Sequence, residues 1–198
     1  MSKTLNIPKT LCLNSDAIVE NLSQESIDVY LYLKNQFDKS QDISSNGLFH
    51  FVFRSFYRLD NAGLSDEHKS SYFNLMQELR YKGDFKFKYV CDCLYKIHNL
   101  KGQNSLQFSF ATKMANMINP NYPIYDSEVA SMFGFKPPYN NKTYEQRLNA
   151  YLFLYKNLSK QYLLFLETEP LLSVFEKLCD QRDHVEQISR IKVLDFLM

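Results

Sequence analysis

One lysine and one aspartate stand out in the stretch SFATKMANMINPNYPIYDSEV at residues 109–129. Lys113 lies within a short amphipathic helical pattern, and Asp126 follows a turn that contains two prolines. One way to cleave an N-glycosidic bond uses an amine that attacks the sugar carbon C1′ and a carboxylate that stabilises the positive charge developing on the sugar. Lys113 and Asp126 therefore form a candidate catalytic pair.

Lys113 can attack only as a neutral amine, whereas a lysine in water has a pKa of about 10.4 and is protonated. Burial disfavours the charged form and lowers that pKa. Phe110, Met114 and Met117 flank Lys113 on the same helix, which favours partial burial. The alternative is an ordinary helix lysine whose stem covers the apolar face while its ammonium stays in water, and composition alone favours that alternative.

Two motifs around this pair resemble those of one enzyme family. Residues 111–115, reading ATKMA, are similar to a G-T-K-x-A pattern, and residues 123–129, reading PIYDSEV, are similar to a P-[VI]-x-D-x-x-V pattern. The aromatic run at residues 49–64 also resembles the N-terminal helix and turn of compact bacterial members. Together with a hairpin unit at about residues 88–135, these segments resemble the helix-hairpin-helix DNA glycosylase superfamily, in its 8-oxoguanine DNA glycosylase-like compact bacterial branch.

The resemblance implies a DNA glycosylase that flips out and excises a damaged or hypermodified base. Lys113 corresponds to the nucleophile and Asp126 to the catalytic carboxylate. The substrate implied is double-stranded DNA that contains 8-oxoguanine or a modified phage cytosine, with a role in DNA repair or in anti-phage defence. A Schiff base on Lys113 would add an abasic-site lyase activity to base excision.

This mechanism leads to two sets of expected contacts. Residues at the hairpin and at the start of the helix that follows it are expected to hold DNA phosphates, through side chains and backbone amides. They are Lys101, Gly102, Gln103, Asn104, Ser105, Ser109 and Thr112. Aromatic residues after the helix are expected to line the base pocket, where their faces can stack on the base. They are Tyr122, Tyr125, Phe133, Phe135 and Tyr139.

The charge distribution supports a DNA-facing middle of the chain. The formal net charge is only +1, but residues 80–160 contain 12 of the 23 lysines and arginines and only 5 of the 22 acidic residues. This basic segment includes the hairpin, Lys113 and Asp126, as electrostatic attraction of a phosphate backbone requires. A solvated surface with a chance excess of lysines is the alternative.

Hydrophobic periodicity predicts helices almost throughout, and with 198 residues we expect one all-α domain over residues 1–198, a helical bundle that contains the helix-hairpin-helix unit. Besides the helix that carries Lys113, predicted helices cover 23–37, 47–58, 65–80, 90–100, 144–158, 161–168 and 170–197. The alternation at 85–89 leaves a short extended piece open, and alternation at 49, 51 and 53 leaves a strand as the alternative to the second helix.

Cysteines and histidines are dispersed without zinc-ligand spacing, so we expect no metal and no cofactor. The sequence also contains no uncharged run of the about 18 residues that a membrane span needs and no signal-peptide pattern at its start. We therefore expect a cytoplasmic monomer that does not bind membranes.

Two functions of other classes stay open. The first is a helix-hairpin-helix module that binds DNA without catalysis. The second is an all-α protein-interaction domain in which the Phe- and Tyr-rich N-terminal third forms a groove for a partner.

Overall fold

The computed structural model describes residues 7–138 and 141–198, and within these ranges the chain forms eleven α-helices and no strand beyond one isolated bridge. The helices are α1 (Ile7–Leu13), α2 (Ser15–Asn21), α3 (Gln24–Lys39), α4 (Gly47–Phe56), α5 (Asp66–Leu79), α6 (Phe87–Tyr95), α7 (Phe108–Ile118), α8 (Ser127–Met132), α9 (Tyr144–Leu166), α10 (Glu169–Gln181) and α11 (Arg190–Leu197). None of the described helices has the length and apolar character that crossing a bilayer requires.

Helix α7 lies in the hydrophobic core, because eight of its eleven residues are buried. Side chains of several other helices bond or stack against it: the hydroxyl of Tyr72 on α5 donates to the Phe110 carbonyl at 2.9 Å, and Tyr151 on α9 stacks on Phe108 with ring centroids 5.1 Å apart. Lys113 is the single charged residue of α7. The fold therefore places one lysine in an otherwise apolar central helix.

The all-α expectation is confirmed, and helices with a polar residue at the start fit their predicted ranges well. Ser23 and Ser65 cap α3 and α5 by accepting a hydrogen bond from a first-turn backbone N–H. Asn46 caps α4 in the same way, so the aromatic segment after Gly47 is a helix and not a strand. Phe49 and Phe53, one helical turn apart, are both fully buried.

Three predicted boundaries are wrong. Residues 144–166 form one helix, α9, since Tyr155, Leu158 and Tyr162 lie on one buried face that continues through the expected break. Residues 170–197 form two helices instead of one. Arg182 is extended there, and its guanidinium donates to the Leu22 and Val19 carbonyls at 2.7 Å.

The third wrong boundary concerns the helix before the hairpin. Helix α6 begins at Phe87 and ends at Tyr95, where 90–100 was expected. Residues 85 and 86 form no strand, because Phe85 packs its ring against Phe87 and Tyr122 at centroid distances of 4.8 and 6.1 Å. The extra residues after Tyr95 belong to the hairpin.

We predict that Ser189→Ala lowers the free energy of unfolding by about 1 kcal/mol, the usual cost of losing a helix N-cap. The Ser189 hydroxyl accepts from the Lys192 N–H at 3.2 Å and donates to the Pro120 carbonyl at 2.8 Å, so it fixes the start of α11. Urea titration measures the change. Ser159→Ala is the matched control, because Ser159 only bonds the Tyr155 carbonyl within α9, and an equal loss in both variants would contradict the capping role.

Candidate functional site

The segment at residues 122–126 is not helical and is bonded to side chains of three helices. The Tyr122 N–H and the Asp126 carbonyl bond to backbone groups, and other groups of the segment need side-chain partners. Four side chains are those partners: Asn116 donates to the Tyr122 carbonyl at 2.8 Å, Tyr155 donates to the Pro123 carbonyl at 2.9 Å, Asp195 accepts from the Ile124 N–H at 3.1 Å, and Thr112 accepts from the Tyr125 N–H at 3.1 Å. These bonds fix Asp126 relative to α7.

Asp126 ends this segment and caps helix α8. Its Oδ1 atom accepts hydrogen bonds from the backbone N–H groups of Glu128 and Val129, both at 3.0 Å. Because both bonds go to Oδ1, the carboxylate is held in one orientation and Oδ2 is left for other partners. Asp126 itself is half-buried.

Lys113 is half-buried on α7, and its ammonium lies against the end of helix α4. The Nζ atom donates to the Tyr57 carbonyl at 3.3 Å and lies 4.9 Å from the centre of the Phe110 ring. Burial lowers the pKa of Lys113, the nearby Asp126 charge opposes that shift and the Arg58 charge adds to it. The pKa shift has the direction that a nucleophilic amine needs.

Lys113 and Asp126 line the same cavity, which has a volume of about 230 Å³. We call it the lysine cavity; its walls include Phe56, Tyr57, Lys113, Asp126, Lys192 and Asp195. The ion pairs among the described residues do not include one between Lys113 and Asp126. The amine and the carboxylate thus face one space without neutralising each other in direct contact.

Two further charged residues of the lysine cavity, Lys192 and Asp195, come from helix α11 and were not predicted as site residues. Lys192 is only 3% exposed, and the Asp195 Oδ2 atom is buried without a hydrogen-bond partner in the described structure. Burial lowers the pKa of Lys192 and raises the pKa of Asp195. The available sequence signal is the pattern IKVLDFL, in which two charged residues interrupt an otherwise apolar helix at i, i+3 spacing.

A second cavity of about 370 Å³ lies beside Asp126 and contains part of the expected base pocket. This aromatic cleft is lined by Phe108, Ser109, Tyr125, Asp126, Phe135 and Tyr151, among others. Of the expected pocket residues, Tyr125 and Phe135 therefore line a cleft next to Asp126, but Lys113 does not line it.

The remaining expected pocket residues are elsewhere. Tyr122 packs its ring against Phe85 and Phe87, and Phe133 stacks on Phe165 with centroids 5.8 Å apart. Both rings thus pack against core aromatics. Tyr139 lies outside the described residues.

The hairpin between α6 and α7 uses its own backbone amides. The Asn99 carboxamide oxygen accepts from the N–H groups of Lys101 at 2.9 Å and Gln103 at 3.0 Å, and the Gly102 N–H donates to the Asn99 carbonyl at 2.9 Å. Gly102 has a φ of +71°, in the region that glycine tolerates best. These three amides are therefore occupied within the turn, contrary to the expectation that hairpin amides hold phosphates.

The expected phosphate-binding side chains differ in their access to solvent. Lys101, Gln103 and Asn104 are exposed, while Ser105 and Ser109 are half-buried. The Asn104 side chain donates to the Tyr95 carbonyl at 2.6 Å, and Ser105 accepts from Gln107 at 2.8 Å. The exposed Lys101 and Gln103 side chains thus have no hydrogen bond in the described structure, whereas Asn104 and Ser105 already have partners.

Thr112 does not fit the expected phosphate contact. Its side chain is fully buried, and its hydroxyl donates to the Ser109 carbonyl at 2.7 Å while it accepts from Tyr125. Thr112 instead joins α7 to the segment that ends at Asp126. Its hydroxyl therefore fixes the backbone of Tyr125, the residue before Asp126.

No family model, no curated protein and no solved structure matches this chain. In the part of the chain that the structure describes, no group of three or more His, Cys, Asp or Glu side chains is arranged to hold a metal ion.

We predict that Asp126→Ala lowers the free energy of unfolding by about 1 kcal/mol, while Asp126→Asn changes it by a few tenths at most. Asparagine still offers an oxygen to the Glu128 and Val129 N–H groups, whereas alanine leaves both unbonded. Urea titration at pH 7 measures both variants. A similar large loss in Asp126→Asn would contradict a purely capping contribution to stability and would remove Asn as a probe of charge alone.

Proposed function

We propose that the protein is a DNA glycosylase that excises a modified base with Lys113 as nucleophile and Asp126 as charge-stabilising carboxylate. The observation that carries the proposal is the position of both groups on one cavity without an ion pair between them. The lowered pKa of Lys113 supports it, since a neutral amine is required for attack. The two motifs that resemble the glycosylase superfamily support the same assignment.

The extruded base enters the lysine cavity in this proposal. Phe56 and Phe196 supply ring faces to its wall, and aromatic faces stack on nucleobases. The Tyr57 hydroxyl and the Asp195 Oδ2 atom are buried without partners and supply hydrogen-bonding groups. The cavity has a volume of about 230 Å³, which is smaller than the about 300 Å³ at which pockets for drug-sized ligands begin. This size favours a single heterocycle over a base to which a glucose is attached.

The reaction begins when the neutral Lys113 amine attacks C1′ and the N-glycosidic bond breaks. The base leaves with the electron pair of that bond and takes up a proton, while the nitrogen of Lys113 loses one proton. Asp126 stabilises the positive charge on the sugar and can carry the proton from Lys113 to the departing base. Ring opening then expels O4′, which is protonated, and leaves an iminium between Lys113 and C1′; β-elimination from this intermediate breaks the strand.

DNA binding in the proposal uses the basic segment and the hairpin. Residues 88–135 form the helix-hairpin-helix unit of this assignment, with α6 and α7 as its two helices. Lys101 and Gln103 are exposed on the hairpin and are free to contact phosphates through their side chains. Because such contacts release counterions, the affinity for DNA should fall as the salt concentration rises.

We predict that borohydride traps the protein covalently on duplex DNA that contains its substrate base, and that Lys113→Gln abolishes trapping. Borohydride reduces the iminium to a stable amine, and glutamine cannot form that iminium. Gel electrophoresis of the trapped complex, together with mass spectrometry of released base, gives the readout. The substrate panel covers oxidised purines and both plain and glucosylated hydroxymethylcytosine.

Lys142→Gln is the matched control for this experiment, since Lys142 is an exposed lysine of the same basic segment. It should trap as the unchanged protein does. Trapping that persists in Lys113→Gln would assign the nucleophile to another amine, and base release without trapping in that variant would point to a water activated by Asp126.

The two alternative functions give different results in the same assay. A DNA-binding module without catalysis binds duplex in a salt-dependent way, releases no base from any member of the panel, and is unaffected by Lys113→Gln. A protein-interaction domain shows no salt-dependent DNA binding at all.

A further inference from the structure

Lys192 has an environment that differs from that of an ordinary structural lysine. Its side chain is almost completely buried on α11. The Nζ atom is surrounded by four aromatic rings, with centres at 4.5 Å for Phe196, 5.2 Å for Tyr30, 5.5 Å for Tyr57 and 5.9 Å for Phe56. Ring faces attract a cation but cannot remove its charge. The four rings thus favour the cation that burial disfavours at this position.

Lys192 and Lys113 are close neighbours across this cavity. The ammonium groups of both lysines lie over the same ring, that of Tyr57, at 5.5 Å and 6.0 Å from its centre. Both side chains line the same cavity of about 230 Å³. Two ammonium ions in one partly buried space repel each other, so that the pair holds two protons less readily than two separate lysines do.

Other charged and titratable groups around the two lysines come from every neighbouring element. Asp195 lies on α11 itself, and Asp126 lies at the start of α8. Tyr57 and Arg58 directly follow α4, and the hydroxyls of Tyr57, of Tyr30 on α3 and of Tyr162 on α9 are further titratable groups nearby. Among the described residues no carboxylate is within ion-pair distance of either lysine of the cavity.

A structural role alone explains Lys192 poorly. Replacing buried charges by apolar groups of similar volume is often neutral or stabilising, and a methionine at this position would pack against the same four rings. A retained cation next to a reactive amine is instead typical of sites that need a lysine in its neutral form.

We propose that Lys192 is a positioning residue for Lys113, and that the two lysines act as a coupled amine pair that readily gives up one proton. When the pair holds one proton and that proton is on Lys192, where four rings attract the cation, Lys113 is the free amine that attacks C1′. This inference rests on the proposed glycosylase function for its purpose, but the coupling itself is a property of the protein without DNA.

The experiment compares Lys192→Met, which removes the charge, with Lys192→Arg, which keeps a permanent charge. In protein labelled with ¹³C-lysine, NMR follows the titration of the Lys113 side chain, whose signal is identified by its loss in Lys113→Arg. We expect the pKa of Lys113 to be higher in Lys192→Met than in Lys192→Arg by roughly one unit, the size expected for two like charges in a partly buried site. Lys192→Gln serves as a second neutral variant if the methionine variant does not fold.

The same variants are then tested in single-turnover base excision as a function of pH. The acidic limb of the rate profile should move to higher pH in the neutral variants and should stay near its original position in Lys192→Arg, a pattern that a packing defect does not produce. Equal Lys113 pKa values in the neutral and charged variants would overturn the inference. If the Lys113 pKa differs between the variants but no base is released, the glycosylase proposal is overturned and the amine pair is supported. If base is excised but the acidic limb does not move, the amine pair is overturned and the glycosylase proposal is supported.

Discussion

The extended segment at residues 122–126 is the constraint on which the site depends. Its backbone is largely buried and not helical, and apart from the Tyr122 N–H and the Asp126 carbonyl, which bond to backbone groups, its bonded polar groups have side-chain partners. Asn116 and Thr112 of α7, Tyr155 of α9 and Asp195 of α11 are those partners. Three helices therefore meet at one short segment, and loss of any one partner would leave a buried backbone group unbonded.

This arrangement also determines the electrostatics of the lysine cavity. The Asp195 carboxylate must be buried to reach the Ile124 N–H and the Tyr162 hydroxyl, at 3.1 Å and 3.0 Å. Burial raises its pKa, and the raised pKa weakens the compensation that Asp195 can give to Lys192, three residues earlier on the same helix. The hydrogen bond between Asp195 and the Ile124 N–H thus helps to leave the Lys192 charge, next to Lys113, only partly neutralised.

Local signals in the sequence predicted part of this structure, and contacts between distant residues account for the rest. Polar caps such as Ser23, Asn46 and Ser65 mark helix starts because each accepts a hydrogen bond from the N–H only three residues later in the chain, so the signal is local. Lys192 and Asp195 reach the site from the last helix, so no spacing near Lys113 could indicate them. Thr112 was predicted to contact a phosphate, but it is buried and accepts a hydrogen bond from the Tyr125 N–H. Tyr125 lies thirteen residues further on, so no pattern next to Thr112 could indicate this bond.

The separation of Lys113 from Asp126 is the last consequence of these contacts. A closed ion pair would stabilise the lysine in its protonated form and would use the carboxylate oxygens to which the proposed function assigns the sugar. Each group is anchored on its own wall instead, because Asp126 Oδ1 is bound to the first turn of α8 and the Lys113 Nζ atom is bound to the Tyr57 carbonyl at the end of α4. In the proposed reaction, the carboxylate stabilises the positive charge that develops at C1′ of the flipped nucleotide, and the amine attacks the same carbon.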